Sequence, residues 1–277
     1  MNGPDVDLSR IRHVALDMDG TIYRGKQLFD VTLPFLKRLR SWNIGYTFLT
    51  NNTSLSKLDY LAKLRRHGID ATIEQIFTPA DSTITYLRNT LPDVGKIAVL
   101  GTPSLCRQFE DAGFALTWDA PEALVVGFDT TLSYDRLCKT AYWIQQGRPF
   151  LATHPDLVCP TDEPTVLVDC GAICASLTAA TGIKPVVLGK PDPSMLRDLC
   201  ARLKVSASEV AMVGDRVYTD IVMAQRAGVI SVLVLSGEAT RADADALDTP
   251  PSLIVADVGA LGDRLGAVQT GRVESTS

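Results

Sequence analysis

One stretch limits what this chain can fold into. The run His13-Val14-Ala15-Leu16 leads directly into Asp17-Met18-Asp19-Gly20-Thr21. A short, mostly apolar run of this kind reads as a buried strand. It ends in two carboxylates spaced i, i+2, after which Gly20 permits a tight turn and Thr21 offers a hydroxyl. Within a strand, side chains at i and i+2 share a face. Two acids on one face make a poor core and a good metal or phosphoryl site at the carboxyl end of a sheet. Taken alone, Asp-x-Asp-Gly fits a plain strand-ending turn equally well.

The pattern that follows alternates strand and helix. Leu33, Phe35, Leu36, Leu39 and Trp42, with Pro34 in the first turn, predict a helix over 31–42. Residues 45–50 predict a strand that ends in Asn51-Asn52-Thr53. A second helix is expected over 54–67, opened by Ser54 as N-cap and closed by Gly68. This order points to a parallel α/β sheet. From Pro79 the pattern restarts, with helices expected over 80–91, 103–112, 134–146 and 171–181. Strands are expected over 96–101, 123–129 and within 149–156, which makes a second α/β domain. Lys184-Pro185 then begins the return: a short core strand over 186–189, a helix through Arg202, and an apolar strand from Glu209 that ends in Gly214-Asp215. A helix over 218–227 and strands over 230–235 and 253–256 complete it. The predicted fold class is therefore α/β: a Rossmann-like, doubly wound parallel-sheet core with an inserted α/β cap domain. The core is assigned to 1–79 and 185–268 and the insert to 80–184. The polar residues 269–277 are expected to be a disordered tail.

Composition removes several functional classes. The 277 residues carry a formal net charge of −5, which is no footprint for nucleic acid or an anionic membrane surface. No apolar run is long enough to span a bilayer, and 1–12 has no signal-peptide character, so a cytoplasmic location is expected. The six cysteines form no Cys-x-x-Cys pair and only three histidines are present, which argues against structural zinc. Cys170 and Cys174 read as buried reduced thiols.

Reactive side chains recur at strand ends: Asp17 and Asp19, then Thr50 with Asn51, then Asp215, with Lys190 just after a fourth strand. Ligands of open parallel sheets bind at these ends. The set fits phosphoryl transfer. Asp17 is the candidate nucleophile and Asp19 the candidate acid and base. The Thr50 hydroxyl and the Asn51 N–H can bind phosphate oxygens, and Lys190 supplies positive charge. Asp17, Asp19, Asp215 and Asp220 form a hard oxygen set suited to Mg²⁺.

Asp17-Met18-Asp19-Gly20-Thr21, Thr50-Asn51-Asn52, Gly189-Lys190-Pro191 and Gly214-Asp215-Arg216 with Thr219-Asp220 resemble, in order, the four motifs of the haloacid dehalogenase (HAD) superfamily. In that superfamily an aspartate at the position of Asp19 implies phosphatase or mutase chemistry instead of dehalogenation. The long insertion between Asn52 and Lys190 resembles the subclass IIA cap of NagD-like nucleotide phosphatases, 4-nitrophenylphosphatases, and phosphoglycolate and pyridoxal phosphate phosphatases. Ala152-Thr153-His154-Pro155-Asp156 and Gly182-Ile183-Lys184-Pro185 support that branch, although the family often has Asn where this chain has His154. The resemblance implies a Mg²⁺-dependent phosphatase acting on a small phosphomonoester through an aspartyl-phosphate, with Thr50, Asn51, Asn52 and Lys190 binding substrate. His154 and Asp156 are candidates for a leaving-group pocket. It also implies a homodimer formed through the cap. Phosphotransfer or mutase activity, a protein phosphatase and a non-catalytic phosphometabolite-binding regulator are the alternatives.

Overall fold

The computed structural model describes residues 6–159 and 165–274, with side chains described through 269 at the C-terminal end. In chain order the first elements are β1 (His13–Asp17), β2 (Tyr23–Arg24), β3 (Gln27–Leu28), α1 (Thr32–Ser41), β4 (Gly45–Leu49), α2 (Lys57–Arg66) and β5 (Ile76–Phe77). There follow α3 (Pro79–Thr90), β6 (Lys96–Leu100), α4 (Pro103–Asp111), β7 (Ala115–Leu116), β8 (Ala123–Val126), α5 (Tyr134–Gln145), β9 (Phe150–Ala152), β10 (Val158–Cys159), β11 (Leu167–Val168), α6 (Cys170–Thr181) and β12 (Val186–Val187). The chain closes with α7 (Ser194–Leu203), β13 (Val210–Gly214), α8 (Val222–Ala227), β14 (Ile230–Val234), α9 (Arg241–Asp245), β15 (Leu253–Val255) and α10 (Val258–Glu274). These elements form two compact units, one of Met1–Leu49, Leu61–Ile76 and Leu196–Ser277, the other of Thr50–Tyr60 and Phe77–Met195.

The first unit is built on a six-stranded sheet in the order β15-β14-β13-β1-β4-β5. β1 runs parallel to both β13 and β4, and the strand order spreads outward from it in both directions. Val14, Ala15 and Leu16 of β1 and Val210 through Val213 of β13 are fully buried, the condition of a parallel strand covered on both faces. Register pairs Leu16 with Val213 and Asp17 with Leu49, so the acidic end of β1 lies level with the carboxyl ends of its neighbours. This is where an open α/β sheet places its ligands.

The second unit has its own parallel sheet, in the order β12-β9-β8-β6-β7. α3 and α4 cover one face through Leu87, Leu105 and Phe109. α5 and α6 cover the other through Ile144, Ile173 and Leu177.

Four expectations need correction. The strand before Lys190 is β12, and it pairs with β9 of the second sheet instead of joining the first. Two residues of strand carry no pattern that names their neighbour. The second helix is capped by Ser56, not Ser54: the Ser56 hydroxyl accepts the Asp59 N–H at 3.1 Å and the Asp59 carboxylate accepts the Ser56 N–H at 3.0 Å. Ser54 instead donates its N–H to the Asn52 side chain at 2.8 Å. The helix expected over 218–227 opens as a π-helical turn, Val217–Ile221, before α8 begins. Finally, α10 continues to Glu274 where a tail is expected from 269, while 275–277 lie outside the described residues. Arg38 of α1 anchors that helix by donating to the Gly262 carbonyl and the Asp263 carboxylate, both at 2.7 Å. No helix among the described residues is long and apolar enough to cross a membrane, and all six cysteines are free thiols.

Candidate active site

In the first unit, adjacent strands β1 and β13 bring acids together. Asp17 closes β1, Asp215 follows the last residue of β13, and Asp220 sits in the π-helical turn. One carboxylate oxygen from each of Asp17, Asp215 and Asp220 lies within 4.8 Å of the other two. Asp215 and Asp220 are buried and Asp17 is half-buried. Carboxylates this close repel one another unless a cation or proton intervenes, and an all-oxygen donor set suits a hard divalent ion. The residues present therefore fit Mg²⁺.

The backbone makes room for this set. Gly20 has φ +86°, and a Cβ there would overlap the Asp215 carboxylate, as would one on Gly237. The Glu238 N–H donates to Asp215 Oδ2 at 2.7 Å. The Arg216 N–H donates to Asp220 Oδ2 at 3.2 Å, and the Thr21 hydroxyl donates to Asp17 Oδ2 at 3.4 Å. Arg216 pairs with Glu238 at 2.9 Å. Burial works against its charge, but the fields of Tyr218, Asp17, Glu238 and Asp215 hold its pKa above the ordinary arginine value. The Ser236–Glu238 loop after β14 was not among the sequence-derived residues. Its strand lies beside β13, a neighbour relation that only the fold supplies.

Asp19 is not a member of the three-acid set. The i, i+2 rule fails because β1 stops at Asp17. The Met18 carbonyl accepts the N–H groups of Thr21, Ile22 and Tyr23 at 2.9–3.3 Å, so the chain turns at once. The Asp19 side chain is exposed. Its field acts on Lys63 of α2, whose pKa burial lowers and Asp19 raises in part. The Lys63 ammonium stands 3.8 Å from the centroid of the Tyr23 ring. No motif marks Lys63 in the sequence.

In the second unit the Asn51 side chain is spent on Lys190. Its Oδ1 accepts the Lys190 N–H and its Nδ2 donates to the Lys190 carbonyl, both at 2.9 Å. Nδ2 also lies 3.4 Å from both oxygens of Asp156. The Thr50 hydroxyl accepts the Asn52 N–H at 3.1 Å. The Asn52 side chain is engaged with the Ser54 N–H, as above, and with Cys159 Sγ at 3.8 Å.

His154 is not placed for substrate contact: its ring has no exposed surface. Nδ1 lies 3.6 Å from Asp156, and Nε2 lies 3.5 Å from Asp169 and 3.4 Å from the Thr53 hydroxyl. Burial alone would push its pKa down. Cys170, Asp156 and Asp169 reverse that and raise it to about 9. Burial opposes ionisation of Cys170, but the Cys174 thiol and His154 bring it down to about 6. Cys174 is pushed up in turn. Elsewhere in this unit a cavity of about 500 Å³, lined by Cys106, Arg107, Trp118 and Arg136 among others, contains none of the predicted site residues.

Comparison with known proteins bears on this geometry. The model of the haloacid dehalogenase-like hydrolases matches residues 14–115, and a second HAD-hydrolase-like model matches 187–261. The ribonucleotide monophosphatase NagD of Escherichia coli is 30% identical over 248 residues, 90% of this chain and 97% of that protein. The chain belongs to the HAD superfamily, in its NagD-like subclass IIA. Among solved HAD structures, 4-nitrophenylphosphatase from Thermotoga maritima superimposes with a TM-score of 0.88 at 37% identity, covering 92% of this chain and 98% of that one. A glycerol phosphate phosphatase from Mycobacterium tuberculosis, in complex with magnesium, gives a TM-score of 0.84 at 31% identity, covering 92% and 77%. This chain is thus a HAD phosphatase. The first family match contains Asp17, Asp19, Thr50 and Asn51, and the second contains Lys190, Asp215 and Asp220. His154 and Asp156 fall between the two.

Proposed function

We propose that this HAD phosphatase is a Mg²⁺-dependent hydrolase of small phosphomonoesters that works through an aspartyl-phosphate. The observation that carries this reading is the three-acid set of Asp17 and Asp215, at adjacent strand ends, with Asp220 of the π-helical turn, in a HAD chain with aspartate at position 19. Asp17, Asp215 and Asp220 would hold the ion, which offsets negative charge around the phosphoryl group.

Asp17 attacks phosphorus and the bond to the ester oxygen breaks. Asp19 gives that oxygen a proton. Asp19 then takes a proton from water, which attacks the aspartyl-phosphate and returns Asp17 with inorganic phosphate. An exposed Asp19 on a turn suits a group that must reach a leaving group and then a water. In this reading the Thr50 hydroxyl, the Asn51 N–H and the Lys190 ammonium bind phosphate oxygens. Asn51 also contributes through its side chain, by fixing the Lys190 backbone.

The names of the relatives support a small substrate: a ribonucleotide monophosphate, a glycerol phosphate, 4-nitrophenyl phosphate. A homodimer through the second unit completes the proposal. Its support is the apolar surface of Leu157, Val158, Val166, Leu167 and Val168, all exposed around the β10–β11 hairpin.

The test is phosphate release from 4-nitrophenyl phosphate with Mg²⁺, followed by a panel of phosphorylated metabolites ranked by kcat/KM. Asp17→Asn is expected to lower turnover by at least ~10³-fold. Full activity in that variant would remove Asp17 from the mechanism, and inactivity of the wild-type chain toward the whole panel would remove the hydrolase.

A further inference from the structure

The second unit contains a buried charged cluster that the proposed chemistry leaves without a role. His154 sits at its centre, and each ring nitrogen faces a carboxylate, Nδ1 toward Asp156 and Nε2 toward Asp169. A neutral imidazole has one N–H and can face only one of them as a donor. The other carboxylate would then face a bare ring nitrogen, which weakens its attraction to the ring. Two carboxylates within 3.6 Å of the ring favour the doubly protonated imidazolium over the neutral form.

The elements that enclose the ring fix its position. Asp156 comes from the loop after β9, Asp169 is the N-cap of α6, Cys170 is the first residue of that helix, and Thr53 comes from the segment after β4. Asp169 accepts the Cys170 N–H at 2.6 Å, so its own orientation is set by the helix. The loop is also packed tightly against Gly189 and Gly171. A Cβ on Gly189 would come within 2.8 Å of Asn51 Oδ1 and 2.9 Å of His154 Cβ, and one on Gly171 would overlap the Pro155 carbonyl.

On the Nδ1 side of the ring, polar contacts lead to Lys190. Asp156 lies between His154 and the Asn51 amide, and that amide holds both backbone polar groups of Lys190. We propose that His154 is a positioning residue: as a buried imidazolium it orients Asp156, which fixes Asn51 and thereby the backbone of Lys190. The proposal rests on the phosphate-binding role given to Lys190 above. The raised pKa of His154, with Cys170 and the two carboxylates as its cause, agrees with the geometry.

Two measurements on the full chain test it. The first needs no activity. The sequence has three histidines, so ¹⁵N NMR can resolve each ring. At neutral pH the His154 ring should show two protonated nitrogens, while His13 and His67, both pushed down by burial, should be neutral. In His154→Gln the Lys190 amide should exchange with solvent at least ~10-fold faster than in wild type. A bare nitrogen on His154 at neutral pH, or an unchanged Lys190 amide in the variant, overturns the proposal. Asp156→Asn keeps the side-chain size, removes the charged step and gives the same reading if His154→Gln does not fold.

The second measurement is kinetic. His154→Gln should lower kcat by ~10–100-fold with little change in KM, and should remove the alkaline limb expected in the wild-type kcat near pH 9. His154→Gln should give no further loss when added to Asn51→Ala, because it acts through that side chain. Additive losses would sever the link between them. A wild-type chain that hydrolyses nothing but gives the expected NMR result would fail the functional reading, not the positioning role.

Discussion

Gly20 presses against Asp215 where no side chain fits: a Cβ at Gly20 would overlap the Asp215 carboxylate, and φ is +86° at that position. Two costs follow for Gly20→Ala. One is backbone strain and the other is displacement of an acid from the three-acid set. Gly113 separates them, because it has φ +91° and nothing within 4 Å of where a Cβ would stand. Gly113→Ala should cost about 1 kcal/mol in urea denaturation and leave kcat/KM unchanged. Gly20→Ala should cost about 2 kcal/mol or more and lower kcat/KM at least ~100-fold. Equal behaviour of the two variants would show that crowding against Asp215 is immaterial.

Asp17 and Asp215 were legible in the sequence because each ends an apolar run, and a buried run has to stop at charge. Asp19 was not placed by the same rule. The i, i+2 relation holds only inside a strand, and β1 ends one residue too early. Asp220 joins its partners through a π-helical turn, which helical periodicity does not distinguish from an ordinary first turn. His154, a candidate for a leaving-group pocket in the sequence, is instead buried, because its surroundings include Thr53 and Asp169, which are distant in sequence. The two residues of β12 carried no sign of which sheet they join. Local pattern thus located the strand ends, while the contacts that orient side chains at those ends came from packing.

Mg²⁺ should stabilise the chain through the acidic set. Without a cation, Asp17, Asp215 and Asp220 repel one another across less than 4.8 Å. An ion bound only by the folded state adds about 2.7 kcal/mol at one hundred times its Kd. Thermal melts with and without Mg²⁺ should therefore differ by several degrees. Asp215→Asn should abolish that difference and should melt no lower than wild type in EDTA, because it removes one repelling charge. A full Mg²⁺ shift in Asp215→Asn would move the ion elsewhere.

Asn51→Ala removes two 2.9 Å bonds to the Lys190 backbone at once. Two buried backbone groups then lose a partner, at about 1–3 kcal/mol each. The expected result is a stability loss of about 2–4 kcal/mol and a ~10–100-fold fall in kcat/KM. Asn51→Asp keeps the acceptor for the Lys190 N–H but puts a carboxylate against the Lys190 carbonyl and Asp156. It should be no better than alanine. Urea midpoints and initial rates on the two variants decide this, and a near-wild-type Asn51→Asp would show that the Nδ2 contacts are dispensable.

Two histidines should bound the pH range of stability from opposite sides. His13, the first residue of β1, is buried with Nε2 2.9 Å from the Thr47 hydroxyl of β4, and burial together with Arg202 lowers its pKa from 6.5 to about 4. A depressed pKa means that the unfolded chain binds the proton more tightly. The His13 contribution is therefore complete above pH 6.5 and is lost as pH falls through about 4. His154 has the opposite sign. Its pKa rises from 6.5 to about 9, so its contribution is complete below pH 6.5 and is lost as pH rises through about 9. Each shift corresponds to about 3 kcal/mol at most. Stability should peak near pH 6.5 and fall on both sides. Urea titrations across that range should show the acid limb shrinking in His13→Gln and the alkaline limb shrinking in His154→Gln, each variant leaving the other limb in place. Loss of both limbs in one variant would mean that a group other than these two histidines sets the range.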